Sequence, residues 1–182
     1  MSRYLLLLAV LLVSLGGCAT HNTASEGSDS NLMLKGHDPV SYFTLGKPMP
    51  GRADLKAEHE GVTYRFMSAE NRALFTKNPG KFAPQYNGFC ANGAVYAIAL
   101  GGNYDTFKII DGRLFMFGGG NSKKYFEMDE ARNLKLADNY WQNEMMGRSA
   151  RLQSWKRLAF KVPHYKTNRE LATELQSRQD KK

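Results

Sequence analysis

Cysteine is almost missing: Cys18 and Cys90 are the only two in 182 residues. Two cysteines cannot build a disulfide-dense scaffold, and no C-x-x-C pair offers a structural zinc or dithiol site. The four histidines, His21, His37, His59 and His164, include no H-x-x-x-H or H-E-x-x-H spacing, which removes the common helical zinc motifs. Gly101-Gly102 and Gly118-Gly119-Gly120 have neither a Walker lysine-serine pair nor G-x-G-x-x-G spacing, so they read as loops at sheet ends and not as phosphate cradles. No internal repeat is present. The one long apolar run, Leu5 to Val13, is too short to span a bilayer.

That run nevertheless carries information. Arg3 supplies a positive start, and Ser14-Leu15-Gly16-Gly17-Cys18 ends the run with small residues, the pattern of a secretory signal. Leu15-Gly16-Gly17-Cys18 resembles the lipobox of bacterial lipoproteins. The resemblance implies cleavage before Cys18, acylation of that residue, and anchoring by several acyl chains at about 0.8 kcal/mol per buried methylene. Ala19 in place of Asp implies delivery to the outer membrane, facing the periplasm. The expected organisation is a signal peptide over 1–17, a flexible polar tether over 18–31, a single domain over 32–146, and a basic helical tail over 147–182. The tether expectation rests on composition, since Thr20 to Asn31 is nearly free of apolar side chains.

Within the domain the alternating Val62-Thr63-Tyr64-Arg65-Phe66-Met67 predicts a strand, and Ser68 predicts the N-cap of the helix that follows. Asn78-Pro79-Gly80 stops that helix. Ala94 to Leu100 and Phe107 to Ile110 read as strands, and Asp111-Gly112 predicts a hairpin into Leu114-Phe115-Met116-Phe117. Ser122 to Met146 reads as helical. The two Asn-Gly pairs at Asn87-Gly88 and Asn92-Gly93 put Cys90 in a tightly turned segment. The fold class is therefore α+β: a compact domain with a small antiparallel sheet flanked by helices, plus the basic helical extension.

Gly36-His37-Asp38-Pro39-Val40-Ser41-Tyr42-Phe43, Tyr64 to Arg72, Asn78 to Tyr86 and Asn87 to Gly93 together resemble the YHS domain, closest to its exported bacterial lipoprotein branch. Phe107 to Phe115 and Ala137 to Trp141 extend the likeness; the basic tail lies outside it. Membership implies heavy-metal handling through cysteine ligands. Three positions depart from that pattern. Ser41 follows Asp-Pro-Val, Met67 follows the Tyr-x-Phe strand, and Asn71 sits a turn into the helix, each where the metal-associated branch has cysteine. Cys90 remains, in a block that the exported branch shares.

Three readings of the chemistry follow. The preferred one is a non-catalytic envelope module that binds a protein or small-ligand partner, with no nucleic acid. The first alternative handles a soft metal, copper or zinc, through Cys90 with Met67, His37 or His59. The second is a thiol-dependent enzyme, with Cys90 activated by His37 or His59. The tail adds a surface question. From Arg148 onward ten Lys/Arg face three acidic residues, a net +7 of the chain's formal +8. Met145, Met146, Leu152, Trp155, Leu158 and Ala159 recur at helical spacing among Arg148, Arg151, Lys156, Arg157 and Lys161. That stripe either packs on the domain beneath a solvated basic face or lies on anionic head groups.

Overall fold

The computed structural model describes residues 19–181; the expected signal peptide, Cys18 and Lys182 lie outside them. The first described segment corrects the tether expectation. It forms β1 (Thr23–Glu26) and β2 (Asp29–Met33), an antiparallel pair. Its polar side chains are engaged in directed bonds. Asn22 Nδ2 donates to the carbonyls of Gly88 at 2.9 Å and Gly102 at 2.8 Å, and Asn87 Nδ2 donates to Thr20 O at 2.9 Å. The Arg65 guanidinium donates to Asp29 at 2.8 Å and Glu26 at 3.0 Å, while Lys56 Nζ donates to Asp29 at 2.6 Å. Lys56 first, then Arg65, hold the Asp29 carboxyl below the usual carboxylate range. A hydropathy count misses an attachment of this kind, because it rests on hydrogen bonds to distant partners.

After the short helix α1 (Ser41–Thr44), β3 (Arg52–His59) and β4 (Val62–Phe66) pair antiparallel. β2 joins β4 in parallel at Leu32 and Thr63, giving a four-stranded sheet in the order β1-β2-β4-β3. The sheet is thus mixed where the sequence predicted a purely antiparallel one. Helix α2 (Ala69–Lys77) starts as expected, with the Ser68 hydroxyl accepting from the Asn71 N–H. Short helices α3 (Pro79–Phe82) and α4 (Ala91–Ala94) follow.

The strand expected over 94–100 is absent. The chain turns there, with Ala97 at φ 57°, and the Cβ that any other residue would carry at position 93 would lie 2.7 Å from Ile98 O. A short buried apolar run does not distinguish a strand from a buried turn.

Strands β5 (Asn103–Ile110) and β6 (Arg113–Phe117) form the predicted hairpin. Asp111 and Gly112 both have positive φ, 50° and 72°, as a two-residue turn of this hand requires. β6 is buried on both faces. Leu114 and Met116 join the core under the four-stranded sheet with Tyr42, Phe66 and Phe75. Phe115 and Phe117 join a second core with Phe126, Trp141 and Val162.

The single helix expected over 122–146 is two, α5 (Gly120–Glu127) and α6 (Glu130–Tyr140), with a π-turn at Trp141–Met145. The break is stabilised by Asn133, whose Nδ2 donates to Phe126 O at 2.9 Å. The tail contributes α7 (Ala150–Ala159) and α8 (Asn168–Gln179), separated around Val162-Pro163. Thr167 closes a capping box with Glu170 at the start of α8. The fold class is α+β, as the sequence predicts.

Candidate functional site

Asp38 is fully buried and organises the first cluster. Its Oδ1 accepts from Val40 N at 2.8 Å; its Oδ2 accepts from Met67 N at 2.9 Å and Asn71 Nδ2 at 2.7 Å. Its carbonyl accepts from the Ser41 hydroxyl at 2.7 Å. Ser41, Met67 and Asn71, the positions at which the sequence departs from a thiolate set, therefore converge on one residue, Ser41 on its backbone carbonyl and the Met67 N–H and Asn71 amide on its carboxylate. The carboxylate is satisfied by two N–H groups and an amide, so this cluster acts as a structural knot between α1, β4 and α2.

Cys90 lies elsewhere. It is 1% exposed, and its neighbours are Met116, Gly118 and Ser122. Gly118 N–H donates to Sγ at 3.2 Å, and Ser122 Oγ is 3.1 Å from the same atom. His37 donates from Nδ1 to Leu34 O at 3.1 Å and stacks on Tyr104 at 3.9 Å between centroids. His59 meets the edge of Phe75 and lies 3.8 Å from Glu60. The four ligands proposed from sequence, Cys90, Met67, His37 and His59, thus occupy separate places. Among the described residues no three His, Cys, Asp or Glu side chains converge to hold a metal. The pairing of Cys90 with His37 or His59 required for a thiol enzyme is likewise not formed, because each group has other partners.

An open cleft of about 410 Å³ lies between the first described residues and the π-turn. Tyr86 and Trp141 form its floor, with ring centroids 5.5 Å apart. His21, His59, Asn87 and Met146 line its walls. A second cleft of about 460 Å³ shares Thr20, His21 and Glu60 with it. The floor is held by a polar network: Tyr86 donates its hydroxyl to Asp138 at 2.8 Å, and Arg113 grips the same carboxylate with 2.6 and 2.9 Å bonds. Burial, then Asp138, push the Tyr86 phenol well above its ordinary value, so it stays a hydrogen-bond donor. Burial raises Asp138, but bonds from Arg113 and Tyr86 outweigh it and keep the carboxyl low. Burial also lowers His21 against the opposing charge of Glu60, which favours a neutral imidazole.

This arrangement supplies rings, amides and a neutral imidazole: a surface suited to binding. Tyr86 and Trp141 belong to the second core, at 3% and 8% exposure, while His21, expected in the tether, lines the cleft beside them. No local signal marks it, because its walls come from residues 20–21, 59–60, 80–87 and 141–147.

The tail's five candidate membrane cations also divide. Lys156 and Arg157 are bound to Glu144, and Lys161 lies over the Tyr165 ring at 4.6 Å. Arg148 and Arg151 are exposed and have no carboxylate partner among the described residues. Comparison of the chain with family models, curated proteins and solved structures returns no match.

Proposed function

We propose that the chain is a lipid-anchored, non-catalytic binding module of the bacterial envelope, of YHS type, that holds a small ligand in the cleft over Tyr86 and Trp141. The cleft carries this reading. It is open, floored by two rings and rimmed by hydrogen-bonding groups, the composition of a small-molecule site, whereas the thiol on which both alternatives depend is enclosed. The YHS likeness is supported by the meeting of its separate sequence blocks around Asp38. With the three cysteine positions replaced by a satisfied knot, the copper or zinc role has no ready ligand set.

The test is native mass spectrometry of the full chain extracted from envelopes in mild detergent, with elemental analysis alongside. The expected result is an acylated Cys18 and a non-covalent small molecule that is lost on Trp141→Ala and on the less disruptive His59→Ala. Stoichiometric copper or zinc that disappears with Cys90→Ser would replace this reading with the metal one.

A further inference from the structure

Helix α7 is built inside out. On an ordinary surface helix the apolar stripe faces the core and the polar residues face water. Here Gln153 is buried and donates to Ala97 O at 3.1 Å, Ser154 donates to Ala99 O at 3.5 Å, and Arg157 is clamped by Glu144. Leu152, Trp155 and Leu158 point the other way, at 70%, 64% and 72% exposure, and Phe160 just past the helix is 72% exposed. At 3.6 residues per turn, Leu152, Trp155 and Leu158 span an arc of about 120°. A contiguous apolar ridge of this kind marks an interaction surface.

The position of Ala19 points to the occupant. The N–H of Ala150, the first residue of α7, donates to Ala19 O at 2.9 Å. Ala19 is bonded directly to Cys18, so the two α-carbons lie about 3.8 Å apart. The segment expected to act as a tether is instead the β1–β2 hairpin, fastened to the domain by Asn22, Glu26 and Asp29. Ala19, the neighbour in sequence of the residue that would carry the acyl chains, is therefore at one end of the exposed ridge. Arg148 and Arg151 flank the same end.

From this geometry we infer that the outward face of α7 lies in the head-group layer of the membrane that holds Cys18. The apolar ridge enters the acyl boundary and Arg148 and Arg151 pair with anionic phosphates. The inference rests on the anchored reading above and adds an orientation to it. The domain sits flush on the bilayer, and Met146, which follows the π-turn and lines the cleft, lies near the lipid surface.

A chain beginning at Ala19 retains both cores and all the contacts described, and it tests the ridge without any lipid on Cys18. It is mixed with phosphatidylethanolamine–phosphatidylglycerol vesicles and, separately, with phosphatidylcholine vesicles. Binding is followed by co-sedimentation and by acrylamide quenching, which reports on the exposed Trp155 in preference to the buried Trp141. The expected result is salt-sensitive binding to the anionic vesicles with protection of Trp155. Leu152→Ser/Trp155→Ser/Leu158→Ser lowers co-sedimentation by at least about tenfold with an unchanged thermal melt. Arg148→Glu/Arg151→Glu lowers it by about tenfold or more.

Three results would overturn the inference. They are an undiminished interaction in the triple variant, self-association that vanishes in that variant without vesicle binding, and Trp155 protection by a peptide of residues 4–17 alone. Acylation of Cys18 is measured independently on the full chain by intact mass. Its absence alongside vesicle binding by the ridge would remove the anchor and leave the surface.

Discussion

The two helices of the basic tail, α7 and α8, meet the same domain in opposite senses. Helix α8 follows the usual rule: Leu171 is buried in the second core, Leu175 packs against it, and Arg169 and Arg178 remain outside. Helix α7 presents polar groups inward and its apolar stripe outward. The difference originates in what each helix covers. Beneath the tail runs the irregular segment 95–100, three of whose carbonyls are paired by tail side chains. Val95 O accepts from His164 Nε2 at 2.9 Å, Ala97 O from Gln153 and Ala99 O from Ser154. Buried carbonyls must be paired, so the polar face of α7 turns toward them and the apolar face is left outside. Helix α8 covers an apolar part of the core and has no such demand to meet.

The contrast predicts a hierarchy of effects. Leu171→Ala should cost the most, about 2–5 kcal/mol in urea unfolding, because it leaves a cavity in the second core. Gln153→Ala should cost about 1–3 kcal/mol, since it leaves Ala97 O unpaired where α7 meets the domain. A cost below experimental error would mean that α7 is not held by its polar face, and the comparison would fail.

Acid should separate the two faces of α7 without mutation. Burial raises the Glu144 carboxyl, but hydrogen bonds from Lys156 and Arg157 outweigh it and bring it below its ordinary value of 4.5. A carboxyl lowered in this way contributes stability above its unfolded value and loses it as pH falls through the folded one. The clamp on α7 is therefore complete above about pH 4.5 and released progressively below it. Hydrogen exchange should show α7 amides opening in that acid range, and Glu144→Gln should remove the pH dependence. The smallest effect belongs to Leu158→Ser, expected to change stability by less than about 0.5 kcal/mol. A large loss there would show that the ridge is packed after all.

These features differ in how far the sequence reveals them. The Asp111-Gly112 turn, the Ser68 cap and the strand Leu114 to Phe117 are legible. Each depends on backbone preferences or periodicity within a few residues. The helical stripe of α7 is legible too, but not the direction it faces. Nor does local pattern disclose that Ser41, Met67 and Asn71 meet on Asp38, or that Cys90 lies against Gly118 and Ser122 and apart from the histidines.

What the sequence determined by itself was thus the α+β class and the local elements, through turn chemistry, capping and hydrophobic period. The tertiary structure alone decided how the polar groups were satisfied. The hairpin at residues 23–33 docks through Arg65, which is 36 residues from Asp29, and Gln153 finds Ala97 across 56 residues. Buried donors and acceptors require partners wherever the chain can bring them, and no window of neighbouring residues contains that information.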